Sequence, residues 1–231
     1  MRDRSVKGSS VAVLFAATLF AMKLLALTLC VVTPAHAAFD DELATLQQHW
    51  ATARYQTTGD DRTTQLGKLV GEADSFTKKY SDKADGYIWS AVIRGSLAEA
   101  MHNMSALAVI NEAKANLEQA IAVDPAAEES HAYGILGLMY ARMPGWPVAF
   151  GDNKKAQEML KKGLETSPNG MNVNYFNAQY WFDKGDYKKA QSHIEKALQA
   201  PSPYSPAAAL VAANRQREMH ELSERINAKL K

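Results

Sequence analysis

The chain has 231 residues, 47% of them hydrophobic and 22% charged, with a formal net charge of +1. That is the mixture of an ordinary core-forming protein, with no collagen-like or long low-complexity segment. Without a basic excess it lacks the electrostatic footprint of a nucleic-acid-binding protein. Residues 1–37 read as a secretory signal. Arg2, Arg4 and Lys7 form a positive start, Val11 to Val32 is almost wholly apolar, and Ala35 and Ala37 are the small residues of an A-x-A cleavage site. Met22 offers a second start, since "MKLLALTLCVVTPAHA" is a compact signal by itself. A retained anchor is the competing reading, because the run is long enough to span a bilayer. Lys23 inside it opposes that, at about 2.5–3.5 kcal/mol on insertion scales. Lipidation of Cys30 is disfavoured by Leu29, which stands where a small residue is needed. Cleavage after Ala37 leaves a periplasmic chain with a formal charge of −2, no cysteine and no stable membrane insertion. Such a chain has no disulfides and no thiol chemistry.

Helical periodicity then runs almost throughout. Phe39 to Gln56 places Leu43, Leu46, Trp50 and Ala53 on one stripe, and "TTGDDRTTQ" reads as the first turn. Leu66 to Tyr80, "YIWSAVIRGSLAEAMHNM" and "ALAVINEAKANLEQAIAVDP" are the next three helices. "EESHAYGILGLMYARM" and "NKKAQEMLKKGLETSPNG" follow, then two helices over 171–203 and a long last one from Ser205. Turn signals recur at Asp124-Pro125, Ser167-Pro168-Asn169-Gly170 and Ala200-Pro201. Such spacing suggests helical-hairpin repeats.

The clearest unit runs from Met171 to Pro203 and contains "KGDYKKAQSHIEKALQ". It closely resembles the tetratricopeptide repeat (TPR), with Ala178, Ala190 and Ala197 on the small-residue positions where two helices cross and Trp181 on the large aromatic one. Tyr133, Leu136, Gly137 and Tyr140, then Ala156, Leu160, Gly163 and Pro168, resemble the preceding unit with extra residues between its halves. Ala113, Leu117, Ala120 and Pro125 resemble an earlier half-unit. The resemblance implies an all-α, TPR-like right-handed helical-hairpin solenoid. Residues 38–111 would be divergent helical repeats, 112–203 TPR-like repeats with an inserted loop at 143–152, and 204–231 a C-terminal capping helix, since solenoids need caps. A second resemblance concerns the whole layout. A signal, degenerate TPR hairpins and a Pro/Gly/aromatic loop ending in "GDNKKA" look like the T-components of tripartite periplasmic (TRAP) transporters, which are thought to partner the substrate-binding protein.

Nothing in the sequence assembles a catalytic or metal site. His49, His102, His131, His193 and His220 fall in no H-E-x-x-H or His/Cys array, and a zinc site needs at least three converging ligands. His193 reads as solvated. Glu128-Glu129 reads as a carboxylate pair at a helix start, favoured by the helix dipole. Ser90 and Ser96 near Arg94 read as ordinary helix residues. The expectation is therefore a non-enzymatic scaffold without cofactor. It would bind a periplasmic protein or peptide in a concave groove lined by His131, Arg142, Asn172, Tyr175, Gln179 and Asp183. The alternative is a T-component-like transport accessory or carrier of a small hydrophobic ligand, with Trp146, Phe150 and Tyr175 forming a pocket. Pro144 and Pro147 forbid a helix through the loop, and Asp152 is placed to cap the next helix. Trp146 and Phe150 either fold back to seal the hairpin or face an occupant.

Overall fold

The computed structural model describes residues 34–101 and 103–231. His102 and the expected signal, but for its last four residues, lie outside them. The chain divides into Met1–Ala38 and Phe39–Lys231, and the hydrophobic core belongs to the second unit. The described residues form nine α-helices: α1 Pro34–Gln56, α2 Gly59–Lys79, α3 Ala84–Ala100, α4 Ala106–Val123, α5 Ala127–Arg142, α6 Asn153–Thr166, α7 Met171–Asp183, α8 Tyr187–Gln199 and α9 Ala209–Leu230. A single 3-10 turn, Pro206–Ala208, precedes α9. No strand occurs among them, only an isolated bridge between Gly145 and Gly151.

Consecutive helices pack as antiparallel pairs, α3 on α4, α5 on α6 and α7 on α8, and α3, α5 and α7 also touch in succession. The outer helices bury little. Each of α4, α6 and α8 inserts three residues at i, i+4 and i+7: Ala113, Leu117 and Ala120; Ala156, Leu160 and Gly163; Ala190, Ile194 and Ala197. Small residues at the crossings let the axes approach to about 8–10 Å. At Gly137 a Cβ would lie 2.6 Å from Leu160 Cγ, so even alanine would force α5 and α6 apart.

The first turn is shorter than its composition suggests. Only Thr57 and Thr58 separate α1 from α2, and Asp60 and Asp61 enter the first turn of α2, where negative charge meets the positive end of the helix dipole. Arg94 is a structural tie rather than a plain helix residue. Its buried guanidinium joins Asp74 on α2 at 2.8 Å and Glu112 on α4 at 3.0 Å.

The start of α5 departs most from expectation. Glu128, Glu129 and Ser130 all have positive φ, at 46°, 58° and 62°. Non-glycine residues hold the left-handed region at a cost of about 1–3 kcal/mol each, so the surroundings must over-determine it. They do so through long-range bonds. Glu128 accepts from Trp89 Nε1 on α3 at 2.6 Å and from His131 Nδ1 at 2.8 Å. Glu129 accepts the backbone N–H of Met171 at 2.6 Å, and Ser130 Oγ meets Ser167 Oγ at 2.9 Å. The carboxylate pair therefore does far more than face a helix dipole.

Candidate functional site

The first helices of the pairs, together with α1, α9 and the start of α4, line a cavity of about 800 Å³. Trp50 and Tyr55 come from α1, Trp89 and Val92 from α3, His131, Ile135 and Leu138 from α5, Tyr175 and Phe176 from α7, and Arg215 and Glu218 from α9. Its walls are largely apolar. Trp50 and Trp89 meet edge to face at 5.3 Å between ring centroids, and Trp50 Nε1 donates to Ser96 Oγ at 2.9 Å. Gly134 lets Phe176 approach the backbone of α5, for a Cβ there would collide with the Phe176 ring.

The polar groups concentrate on one side. Glu218 accepts from Tyr55 Oη at 2.8 Å, Arg215 Nη1 at 3.1 Å and Tyr175 Oη at 3.5 Å. The Arg215 guanidinium lies 4.6 Å from the centre of the Tyr175 ring. Burial, reinforced by the Glu218 charge, pushes the Tyr55 hydroxyl pKa well above its ordinary value. Tyr175 is raised to about 12, chiefly by burial. Both hydroxyls stay protonated and serve as donors to the carboxylate. Because Tyr55 lies on α1 and Glu218 on α9, this cluster joins the first and last described helices. It supplies one polar side of a cavity that remains open to solvent.

Four of the six expected groove residues reach this cavity. His131, Arg142, Tyr175 and Gln179 line the cavity. Asp183 lines a smaller neighbouring pocket and pairs with Arg142 at 2.8 Å, while Gln179 accepts from Arg142 at 2.9 Å. Asn172 is fully buried behind the wall and accepts from Tyr204 Oη at 3.1 Å, so it is not available to a docking peptide. Of the two loop aromatics, Phe150 takes the fold-back alternative and Trp146 takes neither. Trp146 is 89% exposed and does not line the cavity. Phe150 turns back onto Tyr140, edge to face at 5.6 Å, under the Lys114 ammonium. The loop residues that do line the cavity are Met143, Pro144, Val148 and Ala149. The loop is pinched where Gly151 N donates to Pro144 O and Asp152 N to Tyr140 O, both at 2.8 Å. Asp152 caps α6 by accepting from the N–H groups of Lys154 and Lys155.

Met104 and Val148 line the cavity yet are 89% and 65% exposed, so they mark its mouth. His193 is half-buried against Asn174 Oδ1 at 3.1 Å, not solvated. Among the described residues no group of three or more His, Cys, Asp or Glu side chains could hold a metal ion. No described helix is long and apolar enough to cross a membrane. Trp89, Tyr55, Arg215 and Glu218 were not among the expected site residues. The sequence offers no signal for the last three, since the helix faces carrying them look solvated until α1 and α9 meet.

Among the described residues, then, the chain is helical and bounds a largely apolar cavity. The chain matches the TRAP transporter T-component family over residues 77–228 and belongs to it. A comparison with curated proteins finds no match. The family assignment overturns the expected TPR scaffold holding a protein or peptide in its groove and favours the transport-accessory alternative.

Proposed function

We propose that the protein is an exported accessory of a TRAP-type transporter that holds a small, largely apolar molecule in its chamber and performs no chemistry on it. One observation carries this reading: a cavity of about 800 Å³, walled by aromatic and aliphatic side chains and opening through Met104 and Val148. Pockets of about 300–1,000 Å³ with mainly apolar walls and a few placed polar groups are the usual shape of small-molecule sites. Membership of the T-component family supports the transport role. The N-terminal sequence, with its basic start, apolar run and A-x-A site, supports export to the periplasm. The pairwise stacking of α3 to α8, with small residues at each crossing, supports a TPR-like right-handed solenoid whose concave face has become the chamber wall.

Gly95 provides the test. It lines the cavity, and a Cβ built there meets nothing within 4 Å. Gly95→Phe should fill the chamber without disturbing its walls. The expected result is saturable binding of an environment-sensitive apolar dye by the wild type, lost in Gly95→Phe while the circular dichroism spectrum is unchanged. Equal binding by both would show that the dye goes elsewhere, and the carrier reading would fall.

A further inference from the structure

One group in the chamber is left unfinished by the protein. His131 is 1% exposed, lines the cavity, and stacks on Phe176 with 5.4 Å between ring centroids. Trp89 meets the same ring edge-on at 6.4 Å. Its Nδ1 lies 2.8 Å from Glu128 Oε2. The other oxygen of Glu128 is already taken by the Trp89 indole N–H at 2.6 Å. A carboxylate only accepts, so Nδ1 carries the proton. Burial holds the His131 pKa below its ordinary value, against the opposing pull of Glu128. In the neutral ring, with its proton on Nδ1 facing Glu128, Nε2 is a lone-pair acceptor. Nε2 is one of two buried side-chain atoms without a hydrogen-bond partner among the described residues; the other, Asn172 Nδ2, belongs to a residue that does not line the cavity.

Buried polar atoms are nearly always paired, and an orphan in a native structure calls for an explanation. Here the explanation has a construction behind it. The left-handed turn at Glu128–Ser130 turns Glu128 onto the histidine, and Gly134 admits the Phe176 ring that stacks on it. Strain of this kind is held where a side chain must be aimed. Arg215 and Arg142, the cations nearest the polar side, already face Glu218 and Asp183.

We infer that His131 Nε2 is the recognition point of the chamber, and that it takes a neutral amphiphile carrying a hydrogen-bond donor, a hydroxyl or amide N–H, on an apolar body. This assignment rests on the carrier reading and specifies its ligand class. An ionised carboxylate cannot donate to a lone pair, and a pure hydrocarbon leaves Nε2 unpaired.

Three probes of equal heavy-atom count separate the possibilities: undecanol, decyl methyl ether and decanoate. Binding can be followed by tryptophan fluorescence, because Trp50 and Trp89 line the cavity. The wild type should bind undecanol about tenfold more tightly than the ether, the value of one well-made hydrogen bond. Decanoate should bind no more tightly than the ether. His131→Leu should bind alcohol and ether equally, at the affinity of the ether. The Nε2 nitrogen resonance of wild-type His131 should move with undecanol and not with the ether, a readout that does not depend on the variant folding. If wild type binds alcohol and ether alike, or prefers decanoate, the assignment of His131 is overturned while the carrier reading stands. If no probe binds at all, the carrier reading itself is lost and this inference with it.

Discussion

The outer and inner helices of each pair follow different rules. On α4, α6 and α8 three residues face inward and the rest are solvated or half-buried. On α7, Asn172, Asn174 and Asn177 are buried along with Val173, Tyr175 and Phe176, and α3 and α5 are similarly covered on most sides. The outer helices hold their shape by a narrow stripe, to which Asp152 and Asp186 add caps on α6 and α8. The inner ones are held by a mixture of packing and buried polar bonds, and they carry the chamber. A helix that buries amides, a histidine and a glutamate accepts the desolvation of each. Most of these groups find a partner, His131 Nε2 and Asn172 Nδ2 being the exceptions, which makes the inner layer more specific and less tolerant.

The sharpest way to break this comparison is Trp89→Ala. Trp89 is 1% exposed and donates to Glu128, so truncation leaves both a void and an orphaned carboxylate. A loss of about 3–5 kcal/mol is expected in urea unfolding. Leu160→Ala on the outer helix α6 should cost less, about 2–3 kcal/mol. Equal losses would contradict the distinction. Next comes Gly134→Ala, which drives a methyl group into the Phe176 ring and should cost about 1–3 kcal/mol by overpacking. A smaller effect concerns Asp85 at the start of α3. Burial, then the Glu128 charge, raises its pKa from 3.8 to about 6. A carboxyl with a raised pKa binds its proton more tightly folded than unfolded. Its contribution is therefore whole below 3.8 and is lost as pH climbs through about 6. Asp85→Asn should stabilise the protein at neutral pH by on the order of 1–2 kcal/mol, the gain fading in acid. Thermal melts across that range would show it, and a pH-independent gain would refute the linkage. Smallest is Gly67→Ala on the open face of α2, where a Cβ meets nothing within 4 Å. It should raise stability by about 0.5–1 kcal/mol, the opposite sign to Gly134→Ala.

The same division governs what could be read from the sequence. Ala156, Leu160 and Gly163, or Ala190, Ile194 and Ala197, are visible as spaced small and apolar residues within charged stretches. Asp152 and Gly185 are visible as caps, and in the structure Asp152 accepts two N–H groups while Gly185 takes φ +77°. The left-handed turn at Glu128 was not visible, because "AAEESH" has ordinary helix-starting chemistry and its bend is imposed by Trp89 and Met171 from elsewhere. Nor was the role of Arg215 and Glu218. Their burial depends on Tyr55, 163 residues away from Glu218, and local pattern carries no such information. Trp146 and Phe150 were visible as unusual, but composition could not say which would turn inward.

The bond between Tyr55 and Glu218 has a further consequence for how the protein comes apart. A linear array of helix pairs is stabilised by nearest neighbours, so its ends fray independently and it melts in stages. Tying α1 to α9 links the first and last described helices. Loosening either one deprives the other of this bond, so the two should fray together rather than independently.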